Sequence, residues 1–209
     1  LESYPCNSGT CASRPIAPCA SAAAYEAAIK YADKALRIRL KVLGEEHEDT
    51  IATYNTIATH FHYMGHYSKA IEYYEKTVVG FEKLFGADNP KLALVISNLA
   101  SAYGDMHNYD KAMELNQKAL DILLASLGES HVDTATSYNN IGNLYLDIFE
   151  YEKALEQFQR ALQILKQVYG ENSDSVAIAY NNISRVYNEQ GKNDLAIDYA
   201  LKSLELRKR

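Results

Sequence analysis

Four glycines of this chain, Gly44, Gly86, Gly128 and Gly170, stand 42 residues apart. The same interval separates Ala28, Ala70, Ala112, Ala154 and Ala196, and also the aromatic residues Phe61, Tyr103, Tyr145 and Tyr187. One period kept by three residue types constrains the fold more than any composition does. The chain is expected to be an array of one supersecondary unit, each too small to bury its own apolar face and therefore stacked on the next.

Each unit reads as two helices. In the unit that begins at Gly86, Asn89 is a good N-cap and Pro90 suits the first helical position, where no N–H is needed. His47, His131 and Ser173 hold the equivalent cap positions. A first helix is predicted over 90–106, with Ile96, Leu99 and Tyr103 spaced along one face. After the turn His107-Asn108-Tyr109 a second helix runs to Leu127, with Ala112, Leu115, Ala119, Leu120 and Leu123 apolar. Gly128 ends it, because the residue after a helix often adopts the left-handed conformation open to Gly at little cost. The same reading places first helices at 48–64, 132–148 and 174–190, and second helices at 25–43, 68–85, 152–169 and 194–208. The expected division is a non-repeat leader over 1–23, then a half repeat, 24–43, and repeats 44–85, 86–127, 128–169 and 170–209. The periodic alanines let paired helices approach closely, so Ala154→Leu is expected to cost about 1–3 kcal/mol by overpacking. Gly80 stands mid-helix where other units have Ile38, Ile122 and Ile164, and is expected to be a weak point that costs about 1 kcal/mol relative to Ala.

The composition excludes several function classes. A net charge of -6 and a pI of about 5.5 argue against nucleic acid, whose phosphates call for a basic stripe, and against an anionic membrane surface. No run of 18 apolar residues spans a bilayer. The first residue is Leu, which points to a fragment or a processed chain, and no charged-then-apolar secretory leader is seen. Cys6, Cys11 and Cys19 all lie near the start and form no CxxC pair, while the helical body has no cysteine, as suits a reducing cytoplasm. His60, His62 and His66 resemble a metal cluster in print, but two residues along a helix is about 200° of rotation, so His60 and His62 do not chelate together. No P-loop, nucleophile elbow or Gly-rich dinucleotide turn is present. Neither an enzyme nor a cofactor is expected.

These residues resemble the tetratricopeptide repeat. One unit supplies Tyr138, Ile141, Gly142, Tyr145, Tyr151, Ala154, Phe158 and Ala161, and departs from the pattern where Phe149 replaces the turn Gly. Another supplies Tyr54, Ile57, Ala58, Phe61, Gly65, Tyr67, Ala70 and Tyr74. The period exceeds the common form, and the phrases Gly44-Glu-Glu-His-Glu-Asp-Thr50 and Gly128-Glu-Ser-His-Val-Asp-Thr134 look like those of kinesin light chain, as do Tyr138-Asn-Asn-Ile141 and Tyr180-Asn-Asn-Ile183. The coiled coil that joins light chain to motor is not in this sequence. The resemblance implies an all-α, right-handed α-solenoid of antiparallel helix pairs whose first helices line a concave, protein-binding face.

On that face the resemblance places Asn55, Thr59 and His62; Asn98, Ser101 and Asp105; Asn139, Asn143 and Asp147; and Asn181, Arg185 and Glu189. Asn is a poor helix former, yet it recurs here at mid-helix. Two roles are open to each amide: pairing with the backbone of an extended ligand, since an amide both donates and accepts, or tying adjacent helices together, as for Asn98, Asn140 and Asn182. Arg185 is the one cation in the stripe, against Asp105, Asp147 and Glu189, so a neutral or basic extended segment of a protein or peptide is the expected ligand. The expected role is a cytoplasmic adaptor or scaffold; the alternative is the regulatory or sensor domain of a larger enzyme or signalling protein. Pro5, Pro15 and Pro18 exclude a full-length helix in the leader, which is expected to be disordered, a cap, or a segment folded into the groove. On the last helix Ile197, Leu201 and Leu204 form an apolar face, open either to self-association or to a continuing array.

Overall fold

The computed structural model describes residues 22–208, which form nine helices and no strand. In chain order they are α1 (Ala22–Val42), α2 (Glu48–Tyr63), α3 (Tyr67–Phe85), α4 (Pro90–Asp105), α5 (Tyr109–Leu127), α6 (Val132–Asp147), α7 (Tyr151–Tyr169), α8 (Asp174–Glu189) and α9 (Asn193–Arg207). The expectations for the leader and its three cysteines fall almost wholly outside the described residues. α1 starts at Ala22, slightly before the expected first residue.

The helix starts follow from the caps. The side chains of His47, Asn89, His131 and Ser173 accept from the backbone N–H of Asp49, Lys91, Asp133 and Val176 at 3.2, 2.9, 3.2 and 3.3 Å. The recurrent Gly-to-Thr phrase between units acquires a mechanical meaning. The Thr50 hydroxyl donates to the Gly44 carbonyl at 2.8 Å, and Thr134 donates to Gly128 at 2.9 Å. Both threonines are fully buried, so the linker is pinned under the first turn of the next helix.

The turn inside each pair closes in one way throughout. Asn108 N–H donates to the Tyr103 carbonyl at 2.9 Å and Glu150 N–H to Tyr145 at 2.8 Å, the long return bond of a Schellman-type ending. It needs a left-handed residue just before the donor. Gly65 and Gly191 fill that place in two turns, but His107 and Phe149 adopt φ of 60° and 63° in the others. An L side chain held there stores strain.

Each helix packs on the next in sequence, and the buried apolar residues of the described chain gather in clusters along the stack. Ala70, Ala112 and Ala154 have no exposed surface, as close helix contact requires. Two fully buried rings, Tyr74 and Phe158, fill the space between paired helices; burying such a ring is worth about 1.5–3 kcal/mol. The Phe158 ring lies so near Gly142 that a Cβ there would meet it at 2.8 Å.

The expectation for Gly80 is overturned. A Cβ on Gly80 would stand 2.7 Å from both Cδ1 and Cγ1 of Ile51, a side chain only 1% exposed. One and two units on, the equivalents of this Ile–Gly pair are Ala93 with Ile122 and Ala135 with Ile164, each pair sharing one buried cluster. Bulk has moved across the helix contact from the second helix to the first. Gly80 is the partner that Ile51 requires.

Candidate concave interaction face

The inner side of the stack is identified by which helices approach one another. α4 packs directly on α2 and on α6, across the intervening second helices, and no comparable contact joins α3 to α5, α5 to α7 or α7 to α9. In a curved stack the inner elements lie closer together, so over α2, α4 and α6 the first helices form the concave side. Side-chain bonds tell the same story: Lys91 Nζ donates to Glu48 at 3.0 Å and Asn182 Nδ2 to Asn139 Oδ1 at 3.3 Å, each joining successive first helices.

The residues of the stripe divide into several situations. His62 Nε2 and Asp105 Oδ2 lie 2.6 Å apart, bridging α2 to α4, with side chains only 15% and 30% exposed. The His62 ring also meets Tyr67 and Tyr74 edge-on, which fixes its plane. Thr59 donates to the Asn55 carbonyl at 2.9 Å and shares a 3.2 Å hydrogen bond with the Tyr74 hydroxyl, so it anchors a core ring as well as facing inward. That ring's burial raises its hydroxyl pKa, an effect the Thr59 bond partly offsets. Ser101 is exposed and donates back to its own helix at Ser97. Asn98 and Asn181 are exposed.

Three groups are less satisfied. Asn55 Oδ1, Asn143 Oδ1 and one guanidinium nitrogen of Arg185, Nη1, are buried with no hydrogen-bond partner among the described residues. Leaving such a group unpaired costs on the order of 1–3 kcal/mol. Partial burial lowers the pKa of Arg185, against the favourable fields of Asp147 and Glu189. Asp147 is exposed as a residue, yet desolvation of its carboxyl by the surrounding protein raises its pKa; Arg185 and His107 pull the other way, while Asp105 adds to the rise. Asp105, Asp147 and Glu189 all end first helices, where the helix dipole already favours cations. The inner face therefore carries a negative ledge, with part of the Asp105 charge engaged by His62.

One buried polar residue has no sequence signal beyond its place in the register. Asn116 stands where two other units have Tyr74 and Phe158, is 2% exposed, and donates from Nδ2 to the Ala112 carbonyl at 3.1 Å. Among the described residues no group of three or more His, Cys, Asp or Glu is placed to hold a metal ion, and no helix is long and apolar enough to cross a membrane.

Comparison with known proteins agrees with this architecture. A family profile described as tetratricopeptide repeat matches residues 22–83, 91–167 and 133–209. No curated protein shows significant sequence similarity to the chain. Among solved structures, BtubC (BKLC) from P. vanneervenii is 24% identical with a TM-score of 0.74, over 88% of this chain and 74% of that one. A Podosopora anserina protein of nearly identical TPR-like repeats, described as a kinesin light chain, is 19% identical with a TM-score of 0.75, over 88% and 87%. Aspartyl phosphate phosphatase F from Bacillus subtilis is 22% identical with a TM-score of 0.75, over 88% of this chain and 46% of that one. At these identities the likeness is one of fold.

Proposed function

Because the chain belongs to the tetratricopeptide-repeat family, we propose that it is a non-catalytic interaction module that holds an extended segment of a partner protein against its concave face. The observation that carries this reading is the unsatisfied polarity of the first helices. Buried polar groups are nearly always paired, and those left over mark places where something beyond packing is served.

The amide orientation says what the ligand must offer. Asn55 and Asn143 each keep a buried amide oxygen without a partner among the described residues, and the Asn139 oxygen is taken by Asn182. Each amide both donates and accepts, so a row of them suits the backbone N–H and carbonyl groups of an extended strand and makes little demand on its sequence. The carboxylates at the helix ends then favour neutral or basic side chains on that strand.

The test is titration by fluorescence anisotropy with three extended peptides of equal length: Lys-bearing, neutral and Glu-bearing. The expected order of affinity is basic, neutral, acidic, with the basic peptide the most salt-sensitive. Asn139→Ala with Asn143→Ala is expected to weaken all three by about tenfold while helicity is unchanged. Tighter binding of the acidic peptide, or indifference to the double substitution, would sink the proposal.

A further inference from the structure

The exposed residues of α4 share one side of the helix. Lys91, Leu94, Asn98 and Ser101 fall within about 80° of one another, and half-buried Asp105 continues the line. Leu94 is the apolar member, 47% exposed although α4 has a first helix packed on either flank. The end of the stack therefore has no part in its exposure. Two units on, Ile178 holds the same place on α8 and is 51% exposed. Between them stands Thr136, whose hydroxyl donates to the Val132 carbonyl of its own helix at 3.1 Å.

The 42-residue register turns these lines into lanes across the face. Near the starts of the first helices lie Leu94, Thr136 and Ile178; at their ends lie Asp105, Asp147 and Glu189. Asn98 and Ser101, with their equivalents in the other units, fill the middle. At a rise of about 1.5 Å per residue, the apolar lane lies about 6 Å to one side of Asn98 and the acidic lane about 6 Å beyond Ser101. A strand whose backbone lies over the polar middle directs its side chains alternately to the two flanks, each within reach of a Leu or Lys. Arg185 offsets part of the charge, and three carboxylates keep the acidic flank negative.

The helices also set the spacing along such a strand. α4 touches α6 directly, and an amide pair joins α6 to α8. First helices this close stand about 8–10 Å apart, which is about three residues of extended chain. Three is odd, so a ligand residue over α6 points to the flank opposite that of a residue over α4. The lanes change to match. Over α4 the apolar flank offers Leu94, while the Asp105 carboxylate is bridged to His62 at 2.6 Å. Over α6 the apolar flank holds Thr136 and the acidic flank holds exposed Asp147. Over α8 Ile178 restores the apolar flank. We propose that the groove selects an extended partner segment with an apolar residue at Leu94, a basic residue three places along at Asp147, and a second apolar residue three places further at Ile178. This pattern rests on the groove reading above and narrows it from a neutral or basic strand to one defined spacing.

Fluorescence anisotropy with two peptides of identical composition tests it. One carries Leu, Lys and Leu at the first, fourth and seventh places among Ser and Thr; the other has the Lys moved to the fifth place, on the leucines' flank. The first should bind about fivefold tighter, with the difference lost at high salt. Asp147→Asn should abolish that difference. Leu94→Ala should weaken the matched peptide about fivefold, and the loss should vanish when the leucine that faces it is replaced by Ala. The pattern reads the same from either end, so the leucine that couples to Leu94 also gives the direction of the strand. Circular dichroism should be unchanged in both variants. Equal binding of the two peptides, or coupling of Leu94 to neither leucine, would overturn the pattern while leaving the groove reading in place. If neither peptide binds, both fall.

Discussion

Gly80→Ala sets helix propensity against packing, and the structure decides which wins. In an exposed helix interior the change gains about 1 kcal/mol. Here the new methyl would stand 2.7 Å from two carbons of Ile51, far inside van der Waals contact, and Ile51 has no room to withdraw because it is itself buried. Overpacking of this kind costs about 1–3 kcal/mol, so net destabilisation of up to about 2 kcal/mol is expected. The same substitution made on an Ile51→Ala background meets no branched side chain and should stabilise by about the full propensity gain. The two contexts thus differ by about 1–3 kcal/mol, a coupling between residues on separate helices that a double-mutant cycle isolates. Ile51→Ala alone should cost about 2–5 kcal/mol by leaving a cavity. Ile51→Ala with Gly80→Ile recreates the Ala93–Ile122 arrangement of the next unit and should recover most of that loss. Urea denaturation followed by far-ultraviolet circular dichroism reads all four variants. If Gly80→Ala stabilises the wild-type chain as it does the Ile51→Ala chain, the packing argument is wrong.

Other substitutions follow from the same geometry. Phe149→Gly should raise stability by up to about 1 kcal/mol, because Phe149 is 70% exposed at φ 63° and loses little contact on removal; a lower thermal midpoint would contradict the strain. Gly142→Ala should cost about 1–3 kcal/mol, since its Cβ would meet the Phe158 ring at 2.8 Å; an unchanged urea midpoint would show that the ring can shift. Asp147→Asn should stabilise in a pH-dependent way. Its folded-state pKa is raised above the ordinary 3.8, so the native state binds the proton more tightly than the unfolded chain does, and stability falls as pH rises through that window. The advantage of Asn over Asp in thermal midpoint is therefore expected to open as pH climbs above the usual Asp value and to vanish below it. A gap that instead closes as pH rises would reverse the assignment.

What the amino-acid sequence settled by itself was everything carried by neighbours along the chain. The period, the helix pairs, the caps at His47 and Asn89 and the stops at the interval glycines all depend on residues within a turn or two of one another. Their physics is the local satisfaction of backbone groups and the spacing of apolar side chains. The linker threonines were in the sequence too, but their bond back across the linker to a glycine carbonyl became readable only with the path of the chain known. Tertiary structure decided whatever depends on residues a helix or a whole unit away. Gly80 looked like a weak helix residue until Ile51, on the partner helix, was seen to need its missing side chain. Asn139 was read as a groove residue and Asn182 as a possible tie between helices until the stacking placed one amide on the other, and His62 and Asp105 became a single bridge for the same reason. Propensity is written into each residue, but the distance between first helices is set by the summed packing of the entire stack. That distance determines which polar groups are consumed in holding the curve and which remain to meet a partner.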